Sequence, residues 1–165
     1  MDRVITAIDE LDGRLLRAFH DAPRAGVLEL ARRLGVARGT VQARMDRLQQ
    51  RGIVTGYGPD LDVVALGYRV LAFTTLEIAQ GRLHDVVGHL EDIPEVLEAH
   101  ATSGSADLHC RVVARTNGHL QEVINRILEV AGIDRSTTVI ALSDQIRYRV
   151  MPLVDTASDA GDAGP

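Results

Sequence analysis

The 165 residues hold a single cysteine, Cys110, so no disulfide can close within the chain and no cysteine cluster can hold zinc. Lysine is absent: all 18 basic residues are arginine, a bias that fits a GC-rich genome rather than a mechanism. No apolar run approaches the ~20 residues of a membrane helix, and no basic start leads into a long apolar stretch. A membrane partner is therefore not expected, and the expected compartment is the cytoplasm. Gly-rich phosphate loops, nucleophile elbows and zinc-hydrolase motifs are also missing. The six histidines do not fill that gap. His84 and His89 do not share a helical face, and His100 and His109 flank a predicted hairpin with no clustered carboxylates beside them. No catalytic residue, metal or cofactor is assigned.

What is present is an ordinary globular composition, 45% apolar and 25% charged, with an uneven charge. The net charge is −5. Residues 1–52 nevertheless carry 10 Arg against 7 acidic residues, a net of +3, and Leu30–Gly52 alone carries six Arg against one Asp, a net of +5. Residues 53–165 carry 8 against 16, a net of −8. A basic module joined to an acidic one fits a DNA-reading segment attached to something else.

Helical spacing of Ile8, Leu11, Leu15 and Phe19 predicts an amphipathic helix over Asp9–Asp21. Val27, Leu30, Ala31 and Leu34 predict a second, stopped by Gly35; Val41, Met45 and Leu48 predict a third, closed by Gly52. A Gly-containing turn of about three residues between the last two is the helix-turn-helix spacing. Ile53–Tyr57 reads as a short wing strand, and Pro59 opens a linker running to Gly67. Beyond it the periodicity changes. Val70–Ile78, Val96–Thr102, Leu108–Ala114 and Thr137–Leu142 read as strands, the last continuing irregularly through Ile146–Val150. Helices are expected around Leu83–Leu90 and Leu120–Leu128. The fold class is α+β: a winged helix-turn-helix domain over residues 1–58, a linker over 59–68 and a ferredoxin-like βαββαβ domain over 69–154. The small, acidic, Gly-rich stretch 155–165 is expected to be a disordered tail.

Placed at 100° per residue, the third helix turns Val41, Met45 and Leu48 inward and Gly39, Ala43 and Gln50 outward. Thr40, Arg44, Arg47 and Arg51 line one margin of the outward face; Arg38 and Gln42 line the other. Small residues at the centre and long polar ones at the margins suit close approach to the major-groove floor. Arg can read guanine, Gln can read adenine, and Arg and Thr also hold phosphate. The candidate DNA-binding residues are Arg38, Thr40, Gln42, Arg44, Arg47 and Arg51; which reach bases and which phosphates stays open.

The runs Ile8-Asp9-Glu10-Leu11-Asp12-Gly13-Arg14-Leu15-Leu16, Leu28–Val36, Val41–Leu48, Gly52–Tyr57 and Leu66-Gly67 closely resemble the Lrp/AsnC family of feast/famine regulators. The resemblance implies a regulator of transcription that binds double-stranded DNA and responds to an amino acid or related metabolite. It also implies sheet-to-sheet homodimers, which in that family often assemble into octamers. Where the family usually has a capping Ser, this chain has Ala37, which cannot accept the free N–H bonds of the first helical turn; the loss is about 1 kcal/mol. Gly39 lowers helix propensity by a further ~1 kcal/mol. The third helix is therefore expected to be soft at its start until DNA binds.

The resemblance also points to Gly104-Ser105-Ala106-Asp107 as a turn beside an effector pocket. Gly104 admits positive φ, and Asp107 can accept from an amino group. An ordinary hairpin turn uses the same residues, and both readings stand at this stage. Thr102, Thr137 and Thr138 are the further effector candidates. The rival function is a siroheme-decarboxylase-like tetrapyrrole enzyme on the same architecture, which the basic, outward-facing third helix disfavours.

Overall fold

The computed structural model describes residues 8–162. They form two compact units: the chain through Pro59 together with the chain from Ile146 onward, and Asp60–Gln145.

In the first unit α1 (Glu10–Asp21) starts at Asp9, whose carboxylate accepts the Asp12 N–H at 2.8 Å. Glu10 and Asp12 add negative charge to its first turn, where the helix dipole favours it. α2 (Val27–Leu34) stops at Gly35, whose φ of +71° lets Val36 N–H return to the Ala31 carbonyl at 3.1 Å. α3 (Arg38–Gln50) follows after a turn of three residues. Leu15, Leu30, Val41, Met45 and Leu48 close the core between the three helices. Gly52, with φ of +70°, ends α3 in the same way, Ile53 N–H reaching the Leu48 carbonyl at 2.9 Å.

That closure overturns the expected wing strand. Ile53–Tyr57 makes no sheet ladder among the described residues. β-forming side chains need a neighbouring strand to pair with; here the first N–H of the run caps a helix instead. Tyr57 packs edge-on to Phe19 with ring centroids 5.6 Å apart.

In the second unit, the stretch after Pro59 is not structureless. Asp62 accepts the N–H groups of Val64 and Ala65 at 2.8 and 3.2 Å, forming a capped turn that ends at Gly67 with φ of +96°. Then come β1 (Val70–Ile78), α4 (Leu83–Glu91), β2 (Val96–Ala101), β3 (Leu108–Ala114), α5 (Asn117–Ile127) and β4 (Ile133–Ile140). The sheet order is β2-β3-β1-β4, antiparallel throughout. α4 and α5 cover the face carrying Ala72, Leu76, Leu108, Cys110 and Val112. Burial there pushes the Cys110 thiol up to about 11. β4 begins at Ile133, four residues before the expected start, and among the described residues no strand follows Ile140. Ala141 N–H to Leu71 O, at 2.8 Å, is the last rung because β1 itself begins at Val70. Ile146–Val150 therefore has no rung to continue on.

The expected disordered tail is also corrected. Met151–Asp162 forms α6, which packs on α1 in the first unit. Among its described side chains, Met151, Val154, Asp155 and Ser158 are partly or fully buried, a spacing of three, four and seven that marks one helical face. Composition hid that face, because only Val154 and Met151 on it are strongly apolar. Residues 1–7 of the expected DNA-binding domain and 163–165 of the expected tail lie outside the described residues.

Candidate functional site

The candidate recognition surface is α3. Its inward residues are as the periodicity requires: Val41, Met45 and Leu48 are buried, while Gly39, Gln42, Ala43, Asp46 and Gln50 are exposed. No side chain caps its start; the Thr40 N–H turns back to the Ala37 carbonyl at 3.0 Å, and the N–H groups of Arg38 and Gly39 receive no side-chain cap. Arg38 is exposed beside that start, and Thr40 is half-buried. Gln42 donates to Asp46 at 2.8 Å along the helix. Arg51 closes α3 as its C-cap.

Arg44 and Arg47 do something the sequence did not announce. Both turn back to α1. Arg44 Nη1 donates to Asp9 at 2.6 Å and to Asp12 at 2.8 Å; Arg47 Nη2 donates to Asp12 at 2.9 Å. Asp12 is only 1% exposed, whereas the Arg44 and Arg47 side chains are 23% and 48% exposed. Burial pushes the Asp9 carboxyl up, but the Arg44 hydrogen bond and the Asp12 N–H outweigh it and hold the group below its ordinary range. The Asp9 bond correspondingly raises Arg44. Arg44 is thus largely occupied in tying α3 to α1, and Arg47 keeps about half of its side chain toward solvent. On α2, Arg33 is likewise paired with Glu29. The +5 counted along Leu30–Gly52 is partly neutralised by carboxylates about 35 positions upstream, at separations of 32 and 35 residues.

In the second unit, Thr102, Gly104 and Asp107 come together. Thr102 N–H meets the Asp107 carbonyl at 3.0 Å and its hydroxyl donates to the Ala106 carbonyl at 2.8 Å, while Gly104 has φ of +132°. Asp107 Oδ2 accepts the Ile78 N–H at 2.6 Å, pinning the turn to the end of β1 where the register with β4 shifts. Thr137 and Thr138 do not join them. Successive strand residues point to opposite faces: Thr138 lies 3.0 Å from the buried Thr74 hydroxyl, and Thr137 faces the uncovered side. β1 stands between β4 and β3, so Thr137 is roughly 12 Å from the Asp107 end by strand spacing and rise.

Sequence reasoning missed a further cluster where the chain enters the sheet. Arg115 lies 5.4 Å over the Tyr68 ring and His119 is tilted against it at 6.4 Å. His119 and Arg126 both approach the buried Glu95, at 3.4 and 2.7 Å. Burial raises Glu95, but the Arg126 hydrogen bond prevails and holds it below the ordinary carboxylate range.

The AsnC-type helix-turn-helix domain matches residues 8–49 and the Lrp/AsnC ligand binding domain matches residues 71–151. The chain belongs to the Lrp/AsnC family. It is similar to the regulatory protein AsnC of Escherichia coli strain K12, 33% identical over 88% of this chain and 97% of that one. The solved structure of E. coli AsnC superposes with a TM-score of 0.82 at 32% identity, covering 88% of this chain and 99% of that one. A transcriptional regulator of Neisseria meningitidis in complex with L-Met shares the fold, with a TM-score of 0.77 at 20% identity over 85% and 93% of the two chains. This Lrp/AsnC protein is accordingly a ligand-responsive, DNA-binding transcriptional regulator and not an enzyme. The tetrapyrrole alternative falls with that result. No helix among the described residues is long and apolar enough to cross a membrane.

Proposed function

We propose that this regulator acts as a homodimer that sets two copies of α3 into successive major grooves of a near-palindromic operator, in the cytoplasm, under control of an amino acid or close relative. The observation that carries the reading is the exposed face of α3, small at Gly39 and Ala43 and polar at Arg38, Gln42, Arg47 and Gln50. Arg38, Gln42 and the outer half of Arg47 are the groove and phosphate contacts, with Thr40 and Arg51 beside them. Arg44 acts mainly as the strut that aims the helix. Phosphate at the uncapped start of α3 would take up its open N–H groups, the usual way a helix N-terminus meets an anion.

The uncovered sheet face supports dimerisation. Val139 is 58% exposed there, beside Phe73 stacked on His109 at 5.6 Å, and Arg111 Nε is buried without a partner among the described residues. A second sheet would cover all three. The Gly104–Asp107 turn is our candidate effector site, supported by the positive φ of Gly104 and by its position at the end of β1. Thr102 and Asp107 are already used to hold that turn, so its ligand is met mainly by backbone and by whatever groups a second subunit adds. Binding of L-Met by the N. meningitidis protein makes amino acids the first compounds to try.

Selection of duplexes from a random pool, followed by titration of the winner in rising salt, tests the DNA half. A consensus lacking two-fold symmetry would contradict the dimer geometry. Thermal-shift screening of amino acids, with light scattering to separate dimer from octamer, tests the other half. A hit that is unaffected by substitution of Gly104 or Asp107 would move the effector elsewhere.

A further inference from the structure

The match to the family's ligand-binding domain ends at residue 151, where α6 begins. The helix is therefore additional to the matched segment, yet its seat on α1 is closely shaped. A Cβ added at Gly13 would lie 2.7 Å from Ser158 Cβ and 2.8 Å from its hydroxyl, so any larger residue there must displace α6. Val154 packs on the core that holds Leu15 and Leu48. Arg17 pairs with Asp155, and Ser158 is only 8% exposed. Gly13 also stands next to Asp12, the carboxylate that holds Arg44 and Arg47. One stretch of α1 thus carries α6 and anchors the recognition helix.

We infer that α6 is a built-in docking partner for the Gly13–Arg17 face of α1. It ties the chain leaving β4 to the helix that positions Arg44 and Arg47. The DNA-binding unit then has two covalent connections to the sensing unit, one before β1 and one after β4. A change in the sensing unit reaches the recognition helix by the second connection through α6, α1 and Asp12. The occupant is this chain's own C-terminal helix, argued from the fit of Ser158 on Gly13 and the Arg17–Asp155 pair. The proposal uses the DNA-binding function for one of its readouts; the other, stability, reports docking whether or not an operator is found.

The test is a double-mutant cycle in the full-length protein: Gly13→Ala, Ser158→Gly and the pair. In a helix with nothing on that face, Gly→Ala lowers the unfolding constant about four- to five-fold through propensity alone. With α6 seated, the sign reverses. Gly13→Ala should lower the melting midpoint, and adding Ser158→Gly, which removes the opposing Cβ and hydroxyl, should restore it. Operator affinity should follow, falling several-fold in Gly13→Ala and recovering in the pair. A raised midpoint in Gly13→Ala, with simple additivity in the pair, would overturn the docking. A restored midpoint with operator affinity unchanged in all three variants would overturn the link to the recognition helix. If Gly13→Ala does not fold, the charge exchange Arg17→Asp with Asp155→Arg carries the same test. Each single change should weaken and the exchange recover, and no recovery would count against the seat.

Discussion

Both units of this regulator hold a buried carboxylate with basic partners, Asp12 in one and Glu95 in the other, but they differ in the apolar burial beside it. The sensing unit buries twelve residues in one continuous cluster between a four-stranded sheet and two helices. Among the described residues the DNA-binding unit buries seven in its cluster, supplemented by a buried carboxylate, two arginines and a helix from the far end of the chain. A small core leaves less margin for error, since apolar burial scales with the area removed from water. Polar anchors between α1 and α3 fix an orientation that seven apolar residues leave less constrained. The arginines that look like DNA contacts in a linear count are partly the unit's own scaffolding. The lesson is that a charge count along one segment overstates what DNA can meet when the neighbouring helix is acidic at its start.

The comparison can be broken most forcefully at the core. Leu48→Ala should cost about 3 kcal/mol, as buried Leu truncations do, and by calorimetry it should shift the transition of the DNA-binding unit while leaving that of the sensing unit in place. A shift of both transitions together would mean that the units unfold as one. Asp12→Ala comes next, at roughly 2 kcal/mol. Breaking a buried pair costs more than that, but the Arg side chains here are partly solvated, which reduces the loss. It should also weaken operator binding, and an unchanged denaturant midpoint would remove Asp12 from the scaffold. Ala37→Ser should add about 1 kcal/mol by capping α3, seen as slower hydrogen exchange over residues 38–42; unchanged exchange would mean that the start of the free helix is already firm.

The smallest effect is that of acid. Asp9 and Glu95, one in each unit, are held below their ordinary values of 3.8 and 4.5. Groups with lowered folded pKa stabilise the fold above the unfolded value and lose that contribution as pH falls through the folded one. Both units should therefore be insensitive to pH above about 5 through these groups and soften progressively below 4. Asp9→Asn and Glu95→Gln should each flatten that acid response in one unit only, as followed by melts between pH 3 and 6.

Much of this was legible. β1 matches its expected span because alternation and its Gly flank are local signals, and α2 ends at Gly35 for the same reason. The turn at Thr102–Asp107 was legible as a turn; the expected grouping of Thr137 and Thr138 with it was not met. What was not legible is non-local. The bonds of Arg44 and Arg47 depend on α1 lying beside α3, and the opposite facing of Thr137 and Thr138 depends on the β1–β4 register. The wing strand was misread because β propensity says nothing about the presence of a partner. α6 was missed because what seats it is non-local: Ser158 meets Gly13, Asp155 pairs with Arg17 and Val154 packs on the core.

The arginines of the recognition helix divide into strut and contact, and one experiment separates them. The salt dependence of operator binding should be measured for Arg44→Ala and Arg38→Ala alongside their melting midpoints. Loss of a phosphate contact lowers the slope of log K against log salt by about one. Arg38→Ala should lower the slope at unchanged stability, whereas Arg44→Ala should lower the midpoint and keep the slope. A lowered slope with an unchanged midpoint for Arg44→Ala would contradict this division.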